Sequence, residues 1–375
     1  MEETVARKLQ RIGRAFGLTY PFFSFEEICN GNVNRTYKVN YITDDGTGMA
    51  VIKPYLFQKI NSYAFKNAEE LMSNIERVTD YIHAQRPDSV CLSFLHTEAE
   101  GVRRTYLTEG ADFWRIYEYV QAVTFNQCDD TAIIRGAGEA FGDFQNVLSG
   151  FDATRLYYTI PDFHDTRKRY AALIRDIEKD PVRRAGECRE EIEYLLSAQD
   201  KACRLTDLYN EGKLPLRVTH NDTKINNVLF DENTLAPLVV IDLDTVMPGL
   251  MGHDFGDAVR FAANFAAEDA EDTSKTGVDL NVFWAFADGF LKKTACTLTA
   301  EEEKTLALSC FAITCELSTR FLDDYLMGDK YFKTAYPKHN LVRARSQIAL
   351  AKDMEKKLDA MQAIVESCVI KYKNA

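Results

Sequence analysis

Apolar positions at helical spacing open the chain, with Val5, Leu9, Ile12 and Phe16 on one side of a short amphipathic helix predicted over 4–16. The period then changes. Through "FSFEEICNGNVNRTYKVNYITDDGTGMAVIKPYLFQKI" two β-rich runs flank "TDDGTG", whose Asp and Gly residues suit a hairpin turn. Residues 67–84, "NAEELMSNIERVTDYIHA", return to helical spacing through Leu71, Ile75, Val78 and Ile82, so a small sheet with one packed helix is expected. A second hairpin, "RRTYLTEGADFWRIYEYV" at 103–120, ends in an aromatic strand, and from about 130 to 205 the pattern is helical. Strands give way to helices near 120, which divides the chain into expected units of 1–120 and 121–375.

The second half returns briefly to strands at "RVTH", "NVLF" and "PLVVIDLDT", then reads helical from 255 to the end. Its closing segment, 341–370, spaces Ile348, Met354, Leu358, Met361 and Val365 as a core-facing stripe. A length of 375 residues exceeds one ordinary core, in keeping with two units. The net charge of -12 repels a phosphate backbone in bulk and argues against a nucleic-acid surface, while leaving room for a small local anion site. Nine scattered cysteines with no CxxC pair read as reduced core residues. The first residues build no apolar signal core, and no window is expected to span a membrane. A cytoplasmic monomer without membrane or nucleic-acid partners is the default expectation.

Candidate chemistry lies in "VTHNDTKINNVLF", 218–230. A polar loop between two strand-like runs holds Asp222 and Asn227 near each other, and the β-forming run "VVIDLD" then delivers Asp242 and Asp244. Acids emerging from apolar strand ends are costly unless they bind something. Phosphoryl transfer uses this set: one carboxylate takes or orients the acceptor hydroxyl proton, while an Asn oxygen and a second carboxylate hold Mg2+ against phosphate oxygens. Asp222 and Asn227 could also be loop caps, and Asp244 a turn residue. Lys224 is either solvated surface or a cation for the transferring phosphate. His220 is expected to brace the loop by hydrogen bonding. "WRIYEYV" at 114–120 suits an adenine-contacting hinge through Tyr117 or Tyr119.

The segments "HNDTKINN" and "IDLD" resemble the H-x-D-x-x-x-x-N and I-D motifs of the aminoglycoside phosphotransferase and choline kinase superfamily. More narrowly, "LRVTHNDTKINNVLFD", "VIDLDTVMPGLMGHDFGDAVRF", "AFGDFQNVLS", "FHDT", "RFLDDYLMGDKYF" and "YPKHNLVRARSQI" are similar to the bacterial N-acetylhexosamine 1-kinases, from about residue 20 to 365. The resemblance implies an α+β, protein-kinase-like bilobal fold with a small β-rich N-lobe and a larger helical C-lobe. It implies ATP and Mg2+ as cofactors and N-acetylglucosamine or N-acetylgalactosamine as the acceptor, phosphorylated at the anomeric hydroxyl. Asp222 then matches the general base, Asn227 and Asp242 the metal pair, and Asp244 an orienting group for the loop or a metal-bound water. Asn34, Arg320 and Tyr331 match sugar contacts, with a turn residue as the alternative for Asn34 and an interhelical ion pair for Arg320. A kinase for choline, an aminoglycoside or homoserine would use the same core.

Two departures from that pattern stand out. Asn32 occupies a position where the similar kinases carry His, which bears on substrate preference. For the phosphate-contacting residue, "AVIK" offers Lys53, whereas the longer match through "YLFQKINSYAFKNAEELMSNIERV" offers Gln58, with Lys59 beside it. Pro54 is expected to interrupt a central strand and so counts against Lys53. Glu76 is the candidate helix partner for a lysine. In "HDFGD", Asp254 or Asp257 is expected to shape a loop and cap the helix that follows.

Overall fold

The computed structural model describes residues 4–28, 34–63, 65–99, 101–126 and 128–374. Two units emerge, Met1–Ala122 and Val123–Ala375. In the first, the opening segment forms helix α1 (Val5–Ala15). The strands that follow are β1 (Phe22–Ile28), β2 (Arg35–Asp44), β3 (Ala50–Ile60), β4 (Thr97–Ala99), β5 (Val102–Arg104), β6 (Leu107–Glu109) and β7 (Asp112–Glu118). Five of them build an antiparallel sheet in the order β1-β2-β3-β7-β6. Strand alternation turns Tyr37, Val39 and Tyr41 of β2, Tyr55 and Phe57 of β3, and Trp114 and Ile116 of β7 to one face, where they pack with Leu9, Ile12 and Phe16. Each such side chain contributes about 2 kcal/mol by leaving water. Helix α2 (Ala68–Gln85) starts where the Asn67 carboxamide accepts from the Glu70 N–H at 3.2 Å. It serves the opposite face, where Met72 Sδ lies 3.9 Å from Arg115 Nη1.

The expected turn forms as the sequence suggested: Asp44 Oδ1 accepts from the Gly46 and Gly48 N–H groups, and both glycines have the positive φ that excludes a side chain. Pro54, by contrast, does not interrupt β3. Opposite β2 it pairs with Asn40, and pairing with β7 begins only at Tyr55, so on that side no ladder bond is lost.

The second unit is mostly helical. It contains α3 (Thr131–Val147), α4 (Thr166–Lys179), α5 (Arg189–Ala202), α6 (Arg204–Asn210), α7 (Met251–Ala262), α8 (Leu280–Thr294), α9 (Ala300–Leu326) and α10 (His339–Lys373). Between α6 and α7 run two small antiparallel ribbons, β8 (Arg217–Thr219) with β11 (Met247–Gly249), and β9 (Val228–Phe230) with β10 (Pro237–Val240). Helix α9 opens with a capping box in which Thr299 and Glu302 satisfy each other's backbone N–H. Contrary to the expectation that no window could span a membrane, α9 is long and apolar enough by composition; most of that stretch is buried within this unit, which is how a central core helix passes the same test.

Helices α3 and α8 approach through glycines. A Cβ on Gly138 would strike the Phe286 carbonyl oxygen, one on Gly142 the Phe290 carbonyl oxygen, and one on Gly289 the Arg135 carbonyl oxygen. Because each clash is with backbone, a side chain there forces the helices apart. Gly289→Ala is therefore expected to destabilise the protein by about 3 kcal/mol, read as a lower urea midpoint at constant slope. An unchanged midpoint would show that the seam yields freely.

Candidate active site

The loop between β8 and β9 is anchored from below before it presents anything. His220 is fully buried, with the rings of Phe141 and Phe144 at 5.7 and 6.0 Å. Its Nε2 lies 2.9 Å from the Ile241 carbonyl, and its Nδ1 faces the Asp222 N–H at 3.3 Å. A carbonyl only accepts and an amide N–H only donates, which assigns the neutral tautomer protonated on Nε2. Asn221, at φ +63°, donates from Nδ2 to the carbonyls of Thr219 and Thr245. The expected bracing role of His220 matches this geometry.

Asp222 and Asn227 come together. The Asn227 carboxamide donates to the Asp222 backbone oxygen at 2.8 Å and to its Oδ2 at 3.1 Å, while Lys224 Nζ lies 2.8 Å from Oδ1. Burial opposes the Lys224 charge, but the carboxylates of Asp222 and Asp257 hold its pKa above the ordinary value. Asp242 follows directly on this cluster, because the Ile241 N–H donates to the Asn227 carbonyl at 2.9 Å while the Ile241 carbonyl faces His220. It sits in the left-handed region at φ +61° and is exposed, whereas Asp244 is only 4% exposed within the turn Leu243–Thr245. With Nδ2 turned to Asp222, Asn227 directs Oδ1 the other way. That oxygen and the Asp242 carboxylate are hard donors suited to Mg2+. No group of three His, Cys, Asp or Glu side chains able to hold a metal exists among the described residues.

Asp254 and Asp257 are not caps. Helix α7 begins at Met251, so both lie inside it. Asp254 is 1% exposed and accepts from the His220 N–H at 2.9 Å, the Asn221 N–H at 2.8 Å and Gln145 Nε2 at 2.6 Å. Its backbone carbonyl accepts from Thr223 Oγ1 at 2.6 Å. Burial nevertheless pushes its pKa up. Asp257 pairs with Arg260 at 2.8 Å. The expectation of a loop-shaping role for Asp254 was right; the capping geometry was wrong because the helix starts earlier than the apolar period suggested.

In the first unit, Lys53 and Gln58 lie on opposite faces of β3. Lys53 shares its face with Tyr55 and Phe57, and its Nζ pairs with Glu118 at 2.6 Å, which raises its pKa. Gln58 faces the α2 side, donating to Thr36 Oγ1 at 3.1 Å and accepting from Arg115 Nε at 2.9 Å. Glu76 of α2 lies 3.7 Å from His96 and cannot partner Lys53 from across the sheet. Tyr117 is buried with the Phe94 ring at 5.2 Å, and Lys38 Nζ lies 4.4 Å above the Tyr119 ring. Asn34 Oδ1 accepts from the Asn61 N–H at 3.0 Å. Asn32 lies outside the described residues.

Arg320 and Tyr331 line a cavity of about 280 Å3 in the second unit, together with Arg169, Asp323 and Phe332. The interhelical ion pair considered for Arg320 does not form among the described residues; the guanidinium instead lies over Phe163, Phe332 and Tyr331, at 5.2, 5.6 and 6.0 Å. A neighbouring cavity of about 380 Å3 is lined by Tyr158, Phe163, His164, Asn221 and His253. Beneath it Glu316 holds His164 Nδ1 at 2.8 Å and Thr166 Oγ1 at 2.7 Å, and the His164 and His253 rings are 4.8 Å apart. Sequence reasoning passed over Arg169, His253 and Glu316. The signal was present in Glu316, the one charged side chain within residues 305–319 of α9.

This cluster predicts acid lability. Burial, then His164, depresses His253 to about 3, so the unfolded chain gains a proton below pH 6.5 that the folded one refuses. Burial works against the Glu316 charge, but His164 outweighs it and holds the carboxyl at about 2, so that contribution is present above pH 4.5 and lost as pH falls toward 2. Unfolding free energy from urea titrations is expected to drop on the order of 5 kcal/mol between pH 7 and 4, and His253→Leu to flatten the part above pH 5. A flat wild-type profile from pH 7 to 5 contradicts the assignment.

Residues 24–277 match the sequence profile of the phosphotransferase enzyme family. The fold is similar to that of a spectinomycin phosphotransferase in complex with ADP and spectinomycin, at 11% identity and TM-score 0.59, covering 95% of this chain and 100% of that one. It is similar to a microcompartment-associated aminopropanol kinase at 17% identity and TM-score 0.59, covering 94% and 98%. A choline kinase from Cryptosporidium parvum gives 11% identity and TM-score 0.56, covering 97% and 99%.

Proposed function

The chain belongs to the phosphotransferase enzyme family, and from that premise we propose that it transfers the γ-phosphoryl group of ATP to the anomeric hydroxyl of N-acetylglucosamine or N-acetylgalactosamine. The observation that carries the transfer chemistry is the cluster of Asp222, Lys224 and Asn227 hinged to Asp242 through Ile241. Asp222, with a side chain 31% exposed, accepts the acceptor's proton and orients its oxygen. Lys224 is kept cationic to meet the transferring phosphate oxygens. Mg2+ held by Asn227 and Asp242 would supply charge neutralisation at the phosphates. Gln58 or Lys53 contacts the nucleotide phosphates, and Tyr117 or Tyr119 its base. Asn34, Arg320 and Tyr331 contact the sugar.

The sugar itself rests on the sequence resemblance to N-acetylhexosamine 1-kinases. A second reading follows from the similar structures, one an aminopropanol kinase and another a choline kinase: the acceptor is a cationic amino alcohol. The stretch 266–275 offers four acids to such an acceptor, three of them already engaged, Glu268 with Arg260, Asp269 with His339 and Asp272 with Ser274, which leaves Glu271 as its remaining candidate. Phosphorus NMR of protein incubated with Mg-ATP and, separately, N-acetylglucosamine, N-acetylgalactosamine, glucose, galactose, choline and 1-amino-2-propanol reads acceptor and position together. A sugar 1-phosphate signal is expected. Phosphorylation confined to the amino alcohols replaces the sugar reading.

A further inference from the structure

Two guanidiniums share the 280 Å3 cavity of the helical unit with the carboxylates of Asp323 and Asp324. Arg169 comes from α4 and Arg320 from α9, and neither forms an ion pair among the described residues. Arg169 spends Nη2 on the Phe163 carbonyl at 3.1 Å, while its Nε is buried with no acceptor. Burial and the charge of Arg320 depress its pKa. Glu316 and Asp162 offset part of this from a distance, but no acid nearby pairs with either guanidinium among the described residues. Asp324 is consumed by the N–H groups of Lys330, Tyr331 and Phe332 and by Asn340. Glu316 is committed to His164 and Thr166. Asp323, whose Oδ1 is buried without a partner, is pushed up to about 6 by burial and by Asp176, so it keeps most of its charge at pH 7 but pairs with neither guanidinium. Like charges in a half-buried pocket are unfavourable until an anion joins them.

We propose that this cavity binds a phosphate monoester of hexose size, its phosphoryl oxygens taken by Arg169 and Arg320 and its ring lying against Tyr331 and Phe332. Two planar forks arriving from different helices require oxygens in more than one plane, which a phosphate offers and a carboxylate does not. The inference deepens the acceptor reading, because Arg320 and Tyr331 are shared with it, and it assigns Arg169 as the second anchor. A sugar phosphate, whether the enzyme's own product or another, would then compete for the acceptor site.

Calorimetric titration without nucleotide separates the two readings, because it needs no turnover. The probes are N-acetylglucosamine 1-phosphate, glucose 6-phosphate, inorganic phosphate and gluconate. Both sugar phosphates are expected to bind more tightly than inorganic phosphate or gluconate, and Arg169→Gln to weaken them at least tenfold, with Arg169→Lys in between as the variant that keeps the charge. No binding of either ester, equal binding of inorganic phosphate, or affinity untouched by Arg169→Gln overturns the proposal. If no N-acetylhexosamine is phosphorylated but Arg169→Gln still weakens the esters, the acceptor reading fails and this site stands.

Discussion

Asp222→Asn is expected to lower kcat by about a thousandfold while leaving the thermal midpoint nearly unchanged. The substitution keeps the shape of the side chain, and the bonds that fix the loop mostly do not involve its carboxylate. Asn221 is held through its own amide, Thr223 through its hydroxyl, and His220 through its ring and N–H. What disappears is the oxygen able to accept the acceptor's proton, together with the ion pair that holds Lys224 at 2.8 Å. Steady-state ADP release, measured with whichever acceptor the NMR panel identifies, reads the loss. Turnover within tenfold of wild type would remove Asp222 from the role of base.

Asp254→Ala is expected to be the most damaging single change to stability and to lower turnover as well. One buried carboxylate accepts from two consecutive backbone N–H groups and from Gln145. Truncation leaves three donors without a partner in a site water does not reach, at a cost of about 5 kcal/mol. The loss is directional as well, since those N–H groups belong to the residues immediately before Asp222. Urea unfolding should show the lower stability, and the surviving folded fraction should lose activity beyond its share of folded protein. Activity proportional to the folded fraction would make Asp254 a stabilising group with no hold on the loop's geometry. The carboxamide of Asp254→Asn places donors against donors and is expected to fare little better.

The polar loop around Asp222 was legible because charged and amide side chains at the ends of apolar strands need a reason to be there, and the ribbon pairing of Val228 with Val240 sets Ile241, the residue before Asp242, against Asn227. Strand parity could have separated Lys53 from Gln58, since five residues apart in a strand means opposite faces; the sequence does not say which face meets α2. Asp254 was misread because a helix boundary was drawn from apolar period alone, and a buried carboxylate inside the first turns of α7 breaks that period. Arg169 and Arg320 lie on helices far apart in the chain, and nothing local announces that they meet. The same holds for His164, held by a carboxylate from α9.

The glycines between α3 and α8 carry a final consequence. Gln145, the side chain that steadies Asp254 from below, stands on the same helix as Gly138 and Gly142. The thickness of that helix contact therefore acts as a shim under the candidate site, setting the height of a floor on which His220 and its neighbours rest. Variants that add bulk there would first tilt the floor and blunt turnover, well before they emptied the folded population.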